Sequence, residues 1–127
     1  MKKSLDLAAP ILTALLLLGF AVLALRGLAD PQGASARFGA AVSDSAGTLF
    51  YKVYLSRNLV IVIAGATLLI LRMWKPLAIL ISATALLPIF DMTVLSQNGV
   101  TPPAFHPIAL VLLAITAALL WRRARAA

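Results

Sequence analysis

The sequence contains no cysteine and no glutamate, and its 127 residues include one histidine and four acidic residues. Without cysteine the chain can form neither disulfides nor thiolate or zinc–thiolate sites. One histidine and a few scattered aspartates do not supply the three or four ligands that a protein metal site needs. A glycine-rich phosphate-binding loop is also missing from the sequence, so we expect no metal and no bound cofactor.

Charge is scarce as well. Charged residues make up 12% of the chain, against about 25% in a typical soluble protein. Hydrophobic residues make up 62%, and the mean hydropathy is +1.01, which indicates an integral membrane protein. The net charge of +7 could suggest a nucleic-acid partner, but the basic residues cluster at the ends of apolar segments rather than along one face. We therefore expect no nucleic-acid binding.

Four apolar segments with short polar connections predict an all-α membrane protein, a bundle of four transmembrane helices. We expect these helices to form a single domain over residues 1–127, with the lipid bilayer as their main partner. The expected spans cover about residues 7–27, 49–71, 76–95 and 104–122.

Basic clusters mark one side of the membrane in this arrangement. They lie before the first span, between the second and third spans, and after the fourth span, at Lys2-Lys3, Arg72–Lys75 and Arg122–Arg125. Because positive charge is enriched in cytoplasmic connections, we expect both termini in the cytoplasm. The expected location is the cell membrane, as a multi-pass protein of a bacterial inner membrane, and association of several copies remains open.

The second, third and fourth spans have short apolar runs of 13, 15 and 15 residues, each ending at an ionisable side chain on the outer side. Arg57 lies 15 residues from Arg72, and Asp91 and His106 lie 16 residues from their own basic markers. At 1.5 Å per residue, all three side chains lie roughly 22–24 Å above the inner boundary. The sequence therefore predicts one polar layer in the outer third of the membrane.

A polar pocket between the helices, open to the outside, is the functional interpretation of this layer, with Arg57 and Asp91 as an ion pair. Two structural interpretations remain beside it. The helices could end at this depth and leave ordinary interfacial residues, or the Arg57–Asp91 pair could clamp the second span to the third.

Tyr51, Tyr54 and Asn58 are three and four residues apart and share one helical face, so we take them as substrate-binding candidates. A belt of interfacial aromatic residues would give the same spacing. Asp91 follows Pro88 by three residues, and a proline there removes a backbone hydrogen bond and predicts a kink. His106 precedes Pro107 and is expected to cap the mouth of the fourth helix.

Asp91 and His106 are the candidate catalytic acid and base, and Arg57 would hold Asp91 charged or bind an oxyanion. The chemistry this predicts is proton transfer on a lipophilic small molecule, such as isomerisation, cyclisation or epoxide opening. A small transporter or ligand-binding membrane protein is the first alternative, with Asp91 as its essential acidic residue. A structural or accessory membrane subunit is the second alternative.

Several short patterns recur in one known family. They are Arg37-Phe38-Gly39 and Ser43-Asp44 in the first connection, Tyr51-x-x-Tyr54-x-Ser56-Arg57-Asn58, Pro88-x-x-Asp91, and His106 at the start of the fourth span. With these patterns the chain resembles, over most of its length, a domain-of-unknown-function family of small four-span integral membrane proteins. The resemblance implies the four-span architecture and a recurrent polar layer, and it implies no substrate.

Overall fold

The computed structural model describes the backbone of residues 2–126 and the side chains of residues 7–126, and that part of the chain contains no β-strand. The helices are α1 (Lys2–Ala29), α2 (Pro31–Phe38), α3 (Ser45–Ile70), α4 (Trp74–Thr84), α5 (Leu86–Gln97) and α6 (Phe105–Ala126). Four helical segments are long and apolar enough to cross a membrane, at Leu7–Ala29, Ser45–Ile70, Trp74–Gln97 and Phe105–Ala126. The prediction of an all-α protein with four spans is confirmed. The side chains of Lys2 and Lys3 lie outside the described part.

The connection between the first two spans contains the short helix α2. Asp30 caps α2 by accepting a hydrogen bond from the backbone N–H of Gly33. Asp44 caps α3 by accepting one from the N–H of Gly47 at 2.6 Å. This cap starts α3 at Ser45, four residues before the expected start of the second span at about residue 49.

The four spans close into a ring in which each span contacts two others. The first span packs on α3 and α6, and α4 packs on α6 and α3. The short helix α2 lies against α1 and α3 at one end of this ring. Large apolar side chains cover the outside of the bundle, where Phe50 is 74% exposed and Ile70 is 79% exposed, as expected for a surface that faces lipid.

Two glycines allow α1 and α3 to approach closely. A Cβ atom on Gly65 would lie 2.7 Å from Cδ2 of Leu17, and one on Gly27 would lie 2.6 Å from Cδ1 of Leu55. In a bilayer, apolar burial does not drive helices together, so close van der Waals packing at small residues supplies much of the association energy. Gly65 therefore takes part in an internal contact between α1 and α3.

The half of the bundle that contains the α3–α4 turn and the C-terminal end of α6 is densely packed. Its core consists of Ala9, Leu77, Ala78, Ile81, Leu113, Ala117 and Leu120. The indole N–H of Trp121 donates to the hydroxyl of Ser82 at 3.0 Å, and the Arg123 guanidinium lies 4.2 Å from the centre of the Trp74 ring. These contacts close this end of the bundle.

The third span is divided at Ala85, where α4 ends and α5 begins. Pro88 stands in the first turn of α5 and has no N–H to donate to the carbonyl of Thr84, four residues earlier. The interruption that the sequence predicts near Asp91 is therefore present. The Thr84 hydroxyl bonds the carbonyl of Leu80 within its own helix.

Candidate functional site

A cavity of about 340 Å³ occupies the half of the bundle opposite the dense core. All four spans and α2 contribute to its wall. Leu17, Ile61 and Val62 line its deeper, apolar end, and Arg26, Arg37 and Tyr51 line the other, which we call the polar end. Its volume is within the range of small-molecule binding sites.

His106 is the most enclosed polar side chain of this cavity, with 1% of its surface exposed. Its Nε2 lies 3.1 Å from the carbonyl oxygen of Phe38, and its Nδ1 lies 3.7 Å from Oδ2 of Asp91. A carbonyl oxygen only accepts hydrogen bonds, so these partners assign a hydrogen to Nε2. Nδ1 then carries the ring's exchangeable proton site and faces the carboxyl group of Asp91, so a proton can pass between the two side chains.

The Phe38 carbonyl reaches His106 because α2 ends there. Gly39 adopts a φ of 109° and ends the helix, and its N–H returns to the carbonyls of Ser35 and Ala36. The buried hydroxyl of Ser35 accepts from the N–H of Val42 and donates to the carbonyl of Gln32. These bonds hold the chain on both sides of Phe38.

Aromatic rings enclose the imidazole. The centre of the Phe105 ring lies 4.0 Å from that of His106, and the Phe38 ring meets the imidazole edge-on at 4.9 Å. Tyr54 contacts Phe38 at 6.0 Å between ring centres and stacks on Tyr51 at 5.9 Å. The rings keep the imidazole away from water on its outer side and leave its Nδ1 facing Asp91.

The three substrate-binding candidates on α3 all line the cavity, as their shared face predicts. The Asn58 side chain lies beside the phenol of Tyr54, and that phenol is near enough to Asp91 for an electrostatic interaction. Tyr54 and Asn58 thus stand on the wall with Asp91 and His106, and Tyr51 lies nearer the polar end, beside Arg37.

The predicted ion pair between Arg57 and Asp91 is wrong. Within residues 7–126, Asp91 instead lies 3.7 Å from His106, and Arg37 pairs with Asp30. Arg57 is exposed and does not line the cavity. It precedes Asn58 by one residue, a turn of about 100° around the helix axis, and this directs it away from the face that holds Tyr54 and Asn58.

Asp91 and His106 do meet, although they come from different spans. The Asp91 side chain is 24% exposed and lies on α5, just after the break beside Pro88. His106 lies inside the first turn of α6, which begins at Phe105, and not at the cap before it. The helix therefore starts two residues before Pro107, which would be its first residue if His106 were the cap.

Three residues of the cavity wall are missing from the set of candidates that the sequence supplies. Phe38 provides both a carbonyl and a ring to His106, and Arg26 and Arg37 line the polar end. In the sequence, the glycine of the Arg37-Phe38-Gly39 pattern indicates a helix end, because glycine commonly follows the last residue of a helix. The pattern does not reveal that this end lies against the fourth span.

Metal-binding groups are sparse around this cavity. Within residues 7–126, no group of three or more histidine or acidic side chains lies together so that it could hold a metal ion. The wall offers one imidazole, one carboxyl group, two phenols, two guanidinium groups, one amide and one hydroxyl for contact with a ligand. Such a set can donate, accept and relay protons.

A family model described as Domain of unknown function (DUF4267) matches residues 17–120. The match covers most of the chain and includes every residue discussed at the cavity, so the chain belongs to this family. No curated protein and no solved structure shows significant similarity to the chain. The family membership agrees with the resemblance found in the sequence.

Proposed function

We propose that this chain binds a lipophilic small molecule in the cavity and catalyses a proton transfer on it, with Asp91 and His106 as the acid–base pair. One observation carries the proposal. A buried imidazole has its Nε2 fixed by a backbone carbonyl, and its Nδ1 faces a carboxyl group on the wall of a largely apolar cavity. Acid–base groups that face each other on the wall of a largely apolar cavity are typical of catalytic sites.

The pair can carry one exchangeable proton, give it to a substrate at one point and take one back at another. Isomerisation and cyclisation need this sequence and leave the oxidation state of the substrate unchanged. Epoxide opening needs the same proton at the epoxide oxygen and consumes one water molecule. Tyr54 and Asn58 lie beside the pair and would orient the substrate or that water.

The orientation that we propose puts both termini in the cytoplasm of a bacterial cell and the polar end of the cavity towards the outside. A substrate would then reach the site from the outer leaflet or from the external medium. Labelling of single introduced cysteines at the exposed positions Ala36 and Ala126 from either side of sealed cells tests this orientation, because the natural chain contains no cysteine.

Transport is less well supported than catalysis, because the dense core closes the end of the bundle opposite the cavity. A transporter would have to open that core in each cycle. The accessory-subunit alternative relied on a clamp between Arg57 and Asp91, and this contact is not formed among the described side chains.

The proton-transfer test uses purified protein in lipid nanodiscs, incubated in D2O with an organic extract of the native cells. Wild-type protein should introduce deuterium at carbon into a lipophilic compound that it isomerises or cyclises, or add one water to a compound whose epoxide it opens, as detected by high-resolution mass spectrometry. Asp91→Asn and His106→Gln should each lower this rate by about 100-fold or more. Asp44→Asn is the control, because it removes a carboxylate outside the cavity and keeps a good helix cap. An unchanged rate in Asp91→Asn would exclude the proposed acid–base role.

Ligand binding has its own matched pair of variants on α3. Val62 lines the apolar end of the cavity, whereas Val60 is 64% exposed on the outside of the same helix. Val62→Trp should fill the cavity and abolish deuterium incorporation, and Val60→Trp should retain it. Equal loss in both variants would point to a general effect on the helix and would contradict binding in this cavity.

A further inference from the structure

Two arginines lie at the polar end of the cavity, on two helices that contact each other. Arg26 is in the last turn of α1, and Arg37 is in the last turn of α2. Both line the cavity together with Tyr51, and the Arg37 guanidinium is near enough to the Tyr51 phenol to interact with it. The Asp91–His106 pair takes no part in this cluster.

The charges at this end are not balanced by the protein. Asp30 is the acidic partner of Arg37, but their closest atoms are 4.0 Å apart and both side chains are more than 60% exposed. Such a surface contact contributes little, and the other oxygen of Asp30 already caps α2. Among the described residues that line the cavity, Asp91 is the one acidic side chain, so the two arginines outweigh it in every protonation state of the Asp91–His106 pair. The cavity wall is therefore net positive, with the charge at one end.

The cavity is long, and the end of its wall away from the arginines is apolar. On α1 the wall runs from Leu17 to Arg26, nine residues or about 14 Å. On α3 it runs from Tyr51 to Val62, eleven residues or about 16 Å. A molecule that fits this shape has an apolar body up to about this length and one charged end.

We infer that the cavity selects an anionic amphiphile, whose carboxylate or phosphate head is held by Arg26 and Arg37 while its apolar body extends towards Leu17 and Val62. The inference rests on the proposed function and adds the substrate class to it. Guanidinium groups bind both kinds of head through charge-assisted hydrogen bonds. Asp91 and His106 would then act on the part of the body nearest the head, because they lie between the arginines and the apolar end.

The test compares two fluorescent probes with the same tail, cis-parinaric acid and its methyl ester, bound to the protein in detergent micelles. Wild-type protein should bind the acid about tenfold more tightly than the ester. Arg26→Gln and Arg37→Gln should each reduce this preference about threefold or more, and the double variant should lose it, with the affinity for the ester unchanged. Lys52→Gln is the control, because Lys52 is an exposed cation near the same end that does not line the cavity.

Competition separates an amphiphile from a free anion. Dodecanoate and dodecyl phosphate should displace bound cis-parinaric acid, and sodium phosphate at the same concentration should not. Displacement by sodium phosphate, or equal affinity for acid and ester, would overturn this inference and leave the proton-transfer proposal standing. If Val62→Trp weakens the binding of neither probe, both the inference and the cavity as a lipophilic site fail, and the deuterium experiment still tests the chemistry separately.

Discussion

Nδ1 of His106 and Oδ2 of Asp91 lie 3.7 Å apart, although Asp91 lies within the third span and His106 in the first turn of the fourth. This separation is longer than a hydrogen bond and short enough for a strong electrostatic interaction. A small rotation of either side chain, or an intervening water, lets a proton pass between them. The imidazole itself is held from its other side by the Phe38 carbonyl.

This relationship predicts energetic coupling between residues 91 and 106 and none between residues 57 and 91. In reversible unfolding in mixed micelles, Asp91→Asn and His106→Gln should show a coupling free energy of about 0.5–3 kcal/mol in a double-mutant cycle. The matching cycle of Asp91→Asn with Arg57→Gln should give less than about 0.5 kcal/mol, because the two side chains do not meet. Substantial coupling between Arg57 and Asp91 would contradict the arrangement of α3.

The tautomer of His106 is a second prediction, and it can be measured cleanly because the chain contains one histidine. Protein labelled with 15N-histidine should give NMR signals from a single imidazole. We expect Nε2 to carry a hydrogen in every protonation state of the folded protein, since its partner is a carbonyl oxygen. A neutral imidazole with its hydrogen on Nδ1 would show that the contact with Phe38 is not formed.

Gly39→Ala should disturb the site through the backbone. Alanine at a φ of 109° costs about 1–3 kcal/mol of folding free energy, and its Cβ would lie 3.2 Å from Cδ of Pro103. We expect a lower unfolding temperature and a changed 15N signal of His106. Gly99→Ala is the control, because Gly99 also has a positive φ, of 73°, but has open space around its Cβ position. That variant should lose stability and keep the His106 signal.

Gly65→Leu should weaken the contact between α1 and α3. The new side chain would collide with Leu17, and overpacking of this kind costs about 1–3 kcal/mol. A Cβ atom on Gly19 of α1 would have no atom within 4 Å. Gly19→Leu should therefore be neutral or stabilising, since leucine favours the helix. The free energy of unfolding in mixed micelles measures both effects. Equal stability of the two variants would contradict the close approach of α1 and α3.

The sequence predicts that Asp91 and His106 lie at the same level of the bundle, because the helical rise is fixed. Counting residues from the basic ends brings Asp91 and His106 to the same level, and their side chains do meet. Counting cannot give the rotation of each helix about its axis, which depends on contacts such as that between Gly65 and Leu17. Arg57 therefore lies on a face of α3 that does not meet Asp91.

The role of α2 was out of reach for a different reason. Apolar runs and proline positions are local features of the sequence, and they identify the four spans and the break near Pro88. The contact between Phe38 and His106 joins residues 68 positions apart. Nothing in the spacing of either segment specifies that contact, so the imidazole's second partner becomes visible only in the folded chain.

The bond from His106 to the Phe38 carbonyl makes the position of α2 and the protonation of the imidazole thermodynamically linked. If docking of α2 favours a hydrogen on Nε2, then a hydrogen on Nε2 favours docking of α2 by the same free energy. A bulky ligand that pushed α2 aside would also free the imidazole to change its tautomer. The contact between His106 and the Phe38 carbonyl thus governs both how large a ligand the cavity accepts and whether the imidazole can donate a proton to it.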